Sequence, residues 1–547
     1  MTAQPQTHGH VAARLGSARS VLVRDGTART AWIYALALGA AGLGWRIALL
    51  LLDVPPSNSD EATAGLAAMH IAQGRHFPIF FYGQQYLGAI QSYFAAPLFA
   101  LFGPSTLLLR VPPLIAYVLL VFLMYRLTVS LLGPWVAVAT VGVLALGSDR
   151  IVKNQLIGAG GYPELAPMIV ALFLIAVGVA NGTVKRANLA LAAWGLICGV
   201  ALWTHWLAAP YLLGAAVLLV VGCWRRLLGI GGLAMIAALV AGAGPLLWHN
   251  LTAPRELNSV AVFLELSSNG GDPSWYARLF GGAVVGIPLA TGLCGPGDCD
   301  PSRLWWAPIY VLLLGLGGVW AVSSARAATG SERVRPLTIV VLALAASLTI
   351  ALYVRSPAAG ETPTESARYL HFVLVSTPVW IWALWRLGAG ARGWLGRLPV
   401  MLTAGAVALT MVVATVELAG QVPSYGRWAA DNRALVAELE ARGVRYVYGG
   451  YWTCHLIVFA TAEGITCASL SPSLRKGVNR YPPYWDQVRA HSQIPVFVTR
   501  VEPGPTEPRP ELDAAVRRLL NDSGVPFDVT RVGGYVIYQP SGPVALP

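Results

Sequence analysis

Runs of about twenty apolar residues recur along this chain, and that one feature removes most of the folds open to 547 residues. At a rise of about 1.5 Å per residue, such a run matches the hydrocarbon thickness of a bilayer. The candidates are 32–52, 106–127, 134–148, 163–181, 187–203, 206–224, 228–248, 304–323, 336–354, 369–387 and 398–419. Composition agrees, with 56% hydrophobic and 12% charged residues against roughly 25% charged in an average soluble domain. The expected class is a polytopic α-helical membrane protein of about eleven transmembrane helices.

Charge placement gives the spans a direction. With the N-terminus cytoplasmic and the side flipped at each span, the cytoplasmic segments hold Arg14, Arg19, Arg24, Arg29, Arg126, Lys185, Arg186, Arg225, Arg226, Arg326, Arg333, Arg335, Arg386, Arg392 and Arg397. Against these stand only Asp25 and Glu332. The opposite-side loops and helix ends, up to Gly420, carry ten bases and thirteen acids. This positive-inside asymmetry predicts a multi-pass protein of the cell inner (plasma) membrane, its C-terminal region outside the cytoplasm. The net charge of +12 follows from that topology and calls for no nucleic acid. Residues 1–31 lack the apolar core and cleavage site of a signal peptide; they read as a poorly ordered cytoplasmic tail.

The stretch Pro55–Gly88, in the first outer loop (53–105), begins where the first span ends and carries adjacent carboxylates, Asp60 and Glu61. Asn58 with Glu61 three residues on reads as a capping box, opening a helix over Ser59–Gln73. An aromatic segment, Gln84–Phe102, then runs along or into the membrane surface. Later outer segments are 147–163, with Asp149, Arg150 and Lys153, and the turn around His205. The long loop 249–303 and the stretch 355–368 follow, the latter closing on Arg368.

Past Gly420 the pattern changes to alternating short helices and strands, predicting an extracytoplasmic α/β domain over 424–547. Its tracts YGGYWTC (448–454) and RYPPYW (480–485) suit either a carbohydrate-contacting surface or a core, and no site is assigned there. Cys294–Cys299 and Cys454–Cys467 are candidate bridges outside the cytoplasm, the first closing a very short loop.

Taken together, an acidic pair opening the first outer loop, two interfacial helices, about eleven spans and an outer α/β domain resemble the GT-C glycosyltransferases. The nearest groups in that resemblance are the bacterial relatives of protein O-mannosyltransferases and of the lipid A aminoarabinose transferase. The strings SDEA (59–62), YGQQYLG (82–88), GGYPEL (160–165) and ARYL (367–370) carry it locally. The resemblance implies inverting transfer of a sugar (hexosyl or pentosyl) from a polyprenyl-phosphate donor, on the outer face, to a protein, lipid or glycan acceptor. Asp60 would act as general base, with Glu61 beside it as a second catalytic carboxylate or merely a cap. Lys153, Arg150, Arg368 and His205 are the candidates for the donor phosphate. Asp149, Tyr82, Gln84, Gln85, Tyr86 and Glu164 are the candidates for the sugar or acceptor.

Blander readings stand beside these. Acids in a first helical turn satisfy orphan amides and the helix dipole. Lys153 suits a solvated loop charge, Arg368 a snorkelling side chain, and His205 between two tryptophans interfacial packing. The Tyr82–Tyr86 segment suits an aromatic belt. A divalent metal calls for two or more convergent carboxylates; no obligatory metal is expected here, although a divalent cation remains compatible. The rival class is a transporter or lipid flippase, which calls for ionisable groups deep in its spans. A third is an assembly protein acting through its outer domain; deleting 424–547 separates it from the enzyme, whose donor site is expected in the membrane domain.

Overall fold

The computed structural model describes residues 9–268, 271–297, 299–504 and 511–547, with side chains from residue 26 onward except those of 266–268. Nine helices among them are long and apolar enough to cross a membrane, or eleven if two sharply bent pairs each count as one span. The protein is a multi-pass membrane protein with a small sheet domain at its C-terminal end.

The first span is the end of helix α1 (Gly9–Leu51). Residues 9–31 continue the helix rather than forming an unstructured tail; residues 1–8 lie outside the described residues. Two short helices follow, α2 (Ser59–Ala72) and α3 (Ile90–Phe102), before the second span, α4 (Thr106–Leu132). Helix α2 does not lie along a surface with one face in water. Nearly every residue from Glu61 to His70 is buried, against α3 on one side and the sheet domain on another.

The third span is short. Helix α5 (Pro134–Ala145) stops and turns by 89° into α6 (Asp149–Leu156). Such a bend strands the last carbonyls of α5. Arg46, fully buried near the end of α1, supplies the donors: its Nη1 reaches the Ala145 carbonyl at 3.0 Å and its Nη2 the Leu144 carbonyl at 3.2 Å. Its Nε donates to Gln155 Oε1 at 3.0 Å, and the guanidinium covers the Tyr117 ring at 3.8 Å. The segment read from sequence as a loop, 147–163, thereby contains a helix, Asp149–Leu156, of fixed orientation.

Spans α7 (Tyr162–Ala180), α8 (Ala187–Thr204) and α9 (Ala209–Leu227) follow, then a second bent pair, α10 (Ile230–Gly242) and α11 (Gly244–Thr252), turning by 63°. Helices α8 and α10 meet backbone to backbone: a Cβ on Gly195 would lie 2.0 Å from the Met235 carbonyl oxygen. Small residues at four-residue spacing, Gly195 and Gly199, permit that approach where no solvent drives helices together. The next spans are α12 (Trp306–Ala327), α13 (Val334–Arg355) and α14 (Thr377–Gly390), the third entered through a tight 3-10 stretch, Ala367–Ser376.

No linker separates the membrane part from the sheet domain. Helix α15 (Gly393–Ala441) runs unbroken for 49 residues, through Pro423, and carries the chain into strand β1 (Tyr446–Gly449). Helix α16 (Tyr451–Ala460), β2 (Thr466–Ser469), β3 (Phe497–Arg500), β4 (Phe527–Val532) and β5 (Tyr535–Pro540) complete a sheet of order β2-β1-β3-β5-β4. β1 pairs parallel with β2 and β3, whereas β5 pairs antiparallel with β3 and β4. The disulfides Cys294–Cys299 and Cys454–Cys467 are both formed, the second tying α16 to β2. Phe459 of α16 lies over Gly65 of α2, where a Cβ would sit 2.6 Å from the ring. The sheet domain is thus packed on the first loop.

Candidate active site

Asn58 starts α2 by accepting a hydrogen bond from the Glu61 amide at 2.9 Å. That cap sets Asp60 and Glu61 on diverging faces of the first turn, and the two carboxylates have opposite fates.

Glu61 is fully buried. It takes two bonds from Arg110 of α4, at 2.8 Å from Nε and 2.6 Å from Nη2, and a third from the Gly158 amide at 3.1 Å. A carboxylate so enclosed has no free face for substrate, and its side chain does not reach back to the cap. Glu61 locks α2 to α4 and to the end of α6. A cavity of about 430 Å³ opens beside this pair, lined by Asp53, Ser57, Thr106, Arg110, Trp428 and Thr453; Asp60 and Arg368 do not line it.

Asp60 keeps about a third of its side chain accessible, at 31%. Its Oδ1 accepts from the hydroxyl of Tyr451 and from Arg480 Nη2 at 3.3 Å. Among the described residues its Oδ2 has no hydrogen-bond partner. Burial, with the Asp60 charge behind it, pushes the Tyr451 phenol up, so this hydroxyl stays protonated and donates. Arg480 also donates from Nε to the Tyr451 oxygen at 3.0 Å. The Gln84 amide oxygen, turned towards it, accepts from its Nη1 and Nη2 at 3.0 and 3.2 Å. The rings of Phe81 and Tyr451 lie 5.6 and 5.5 Å from the guanidinium. Tyr451 and Arg480 belong to the sheet domain and were missed in the sequence. The only signal was that each sits in an aromatic-rich tract.

Tyr82 is buried and serves the fold rather than a ligand. Its hydroxyl lies 2.7 Å from His70 Nδ1 and 2.9 Å from His76 Nδ1, and His70 Nε2 lies 2.8 Å from Glu463 of the sheet domain. Glu463 is also bonded by Arg75 and by the Tyr484 hydroxyl at 2.8 Å. Burial alone would raise this carboxyl, but the bonds from His70, Arg75 and Tyr484 outweigh it and hold its pKa at about 2. A carboxyl depressed in this way stabilises the fold above the ordinary glutamate value of 4.5, and the contribution is lost as pH falls from there towards 2. Discounted for solvent screening, the loss is about 1–2 kcal/mol. Melting curves of the purified protein are expected to drop in that window, and those of Glu463→Gln to start lower and change less there.

The donor-side candidates lie around α6 and the 3-10 stretch. Arg150 is buried, its Nη2 donating to the Thr364 carbonyl at 2.5 Å while its Nε has no partner. Lys153 is partly exposed, 3.6 Å from Asp149, and Asp149 itself is buried and accepts from Tyr425 at 3.2 Å. Asp149 therefore neutralises Lys153 and anchors α15, and offers little to a sugar. Arg368 is exposed, covers the Tyr369 ring at 5.4 Å, and pairs with no carboxylate among the described residues. His205 is buried against Tyr162 and Tyr86; its Nδ1 accepts from the Leu207 amide at 3.2 Å, which leaves Nε2 as the protonated nitrogen of the neutral ring. Burial raises the Tyr86 phenol, and Tyr369, Arg480, Arg368 and Asp60 all act on it electrostatically. The Gln85 carbonyl accepts from the Ser259 hydroxyl at 2.5 Å and pins the loop. Glu164 is buried in α7; its Oε2 accepts from Gln91 of α3 at 2.9 Å, and its Oε1 has no partner among the described residues. Among the described residues no three His, Cys, Asp or Glu side chains converge as a metal site requires.

No family model and no curated protein matches this sequence. Solved structures do. ArnT from Cupriavidus metallidurans bound to undecaprenyl phosphate superposes with a TM-score of 0.60 at 15% identity, covering 93% of this chain and 98% of that one. The same protein in its apo state gives 0.55 at 16% identity, covering 94% and 98%. The likeness spans nearly the whole of both chains and shows that the fold is of the GT-C type.

Proposed function

We propose that this protein is an inverting glycosyltransferase that moves a sugar from a polyprenyl-phosphate donor to an acceptor on the outer face of the membrane. The observation that carries the reading is a carboxylate with one oxygen free of hydrogen bonds, Asp60, within electrostatic reach of an arginine that no carboxylate among the described residues pairs, Arg368. The first suits an acceptor about to lose a proton; the second suits a phosphate about to gain charge. The shared fold supports this, since the ArnT structure holds undecaprenyl phosphate.

In the proposed reaction the acceptor hydroxyl or amine hydrogen-bonds to Asp60 Oδ2. Its heteroatom attacks the anomeric carbon from the side opposite the phosphate. The new bond forms as the carbon–oxygen bond to phosphate breaks, the electron pair leaving with the phosphate and the proton passing to Asp60. Arg368, with Nε of Arg150 and Nε2 of His205 as further donors, stabilises the developing phosphate charge, a role that needs fixed donors rather than an acid. The lipid tail stays among the spans while its head meets the first loop. Lys153 contributes less, because Asp149 already compensates it.

The test is mass spectrometry of surface glycans and glycolipids in a deletion strain carrying the wild-type gene or Asp60→Asn. Loss of a defined sugar modification, restored by wild type and not by Asp60→Asn, is the expected result. Unchanged glycan and glycolipid profiles in the deletion strain would refute the reading.

A further inference from the structure

The carboxylate assigned to proton transfer sits in the membrane part of the chain, yet both groups that hold it come from the sheet domain. Arg480 spends every nitrogen on this arrangement: Nε on Tyr451, Nη2 on Asp60, and Nη1 with Nη2 on Gln84. The contact joins α2, the aromatic loop and the sheet domain, segments 391 and 420 residues from Asp60 in the case of Tyr451 and Arg480. Four of its five N–H donors are thus engaged within the protein, on Tyr451, Asp60 and Gln84. What the clamp does is occupy Oδ1 alone and leave Oδ2 without a hydrogen-bond partner among the described residues.

We propose that Tyr451 and Arg480 are positioning residues for the proposed transfer, and that the sheet domain is therefore an integral part of the active site. This rests on the proposed role of Asp60. By fixing one carboxylate oxygen with two donors, the clamp sets the plane in which the other oxygen receives the acceptor proton. A freely rotating Asp60 would sample that geometry only part of the time, and small misplacements at a reacting centre are expensive. Gln84 and Phe81 hold the guanidinium itself, by hydrogen bond and by ring contact.

The experiment compares wild type, Tyr451→Phe, Arg480→Ala, Arg480→Lys and Asp60→Asn at equal protein level. Two quantities are read: the glycan product formed in the complemented deletion strain, and binding of undecaprenyl phosphate to the purified protein. Expected is a product loss of about tenfold to a hundredfold in Tyr451→Phe and Arg480→Ala, with partial recovery in Arg480→Lys, while undecaprenyl phosphate binding and melting temperature stay at wild-type values. Tyr451→Phe removes a single oxygen and guards against a variant that merely fails to fold. Product at or above the wild-type level would overturn the proposal, because a contact that restrains or ignores Asp60 gives that result. A product loss matched by equal losses in lipid binding or melting temperature would also overturn it, as the mark of a purely structural contact. If Asp60→Asn alone abolishes product, only the clamp fails; if Asp60→Asn is active, the reaction assignment fails with it.

Discussion

Asp60→Asn is expected to lower transfer by about 10²–10⁴-fold, the usual contribution of a positioned general base. The substitution is nearly isosteric, and the amide oxygen can still accept from Tyr451 and Arg480. The clamp and the start of α2 therefore persist, and melting temperature and undecaprenyl phosphate binding are expected to stay unchanged. What disappears is the capacity to take a proton. Asp60→Glu keeps that capacity but moves the carboxylate by about one bond length. An intermediate loss is expected, because a displacement near 1 Å already costs about a hundredfold when geometry is tight. Quantified transfer in membranes from the deletion strain, normalised to protein, measures both.

The second large effect is on stability. Arg110→Met leaves the Glu61 carboxylate fully buried with only the Gly158 amide to satisfy it. Removing one partner of a buried ion pair typically costs about 3–5 kcal/mol, well above what a partly exposed pair such as Arg433–Asp53 contributes. Replacing both partners, as in Glu61→Leu with Arg110→Met, removes the stranded charge. The double variant is expected to regain most of the loss, short of about 1–3 kcal/mol for the Gly158 amide left without an acceptor. Unfolding in mixed detergent–SDS micelles, comparing the two variants with wild type, reads this out. A double variant as unstable as Arg110→Met would show that the pair is not the source of the effect.

The spans were legible because hydropathy alone decides them. The two bends were not. The turn between α5 and α6 depends on Arg46, about 100 residues earlier, reaching carbonyls that the local sequence leaves looking like an ordinary helix end. Nor was the continuity of α15, because the change in composition near Gly420 marks where the helix leaves apolar surroundings rather than where it stops.

For the site, the first loop was readable as special and Asn58 as its cap, since capping is local. The division of labour between Asp60 and Glu61 was not, because adjacent residues on a helix point in different directions and only tertiary partners tell which is enclosed. Tyr82, Asp149 and Glu164 have the right chemistry for a sugar site but are buried in contacts with the histidine cluster, α15 and α3. Tyr451 and Arg480 were invisible for the converse reason: their aromatic-rich tracts suited a carbohydrate-contacting surface and a core equally, and the group they serve lies in another part of the fold.

The central claim is geometric: a lipid-linked phosphate and the acceptor-activating carboxylate meet on the sheet-domain side of the membrane. A structure of the protein with undecaprenyl phosphate bound tests it most directly. The account predicts the phosphate in hydrogen-bond contact with Arg368, the tail between spans, and the Oδ2 side of Asp60 open towards the head group. Phosphate held instead at the opposite ends of the spans, beside Arg225 and Arg226, or cut off from Asp60 by protein, would contradict it.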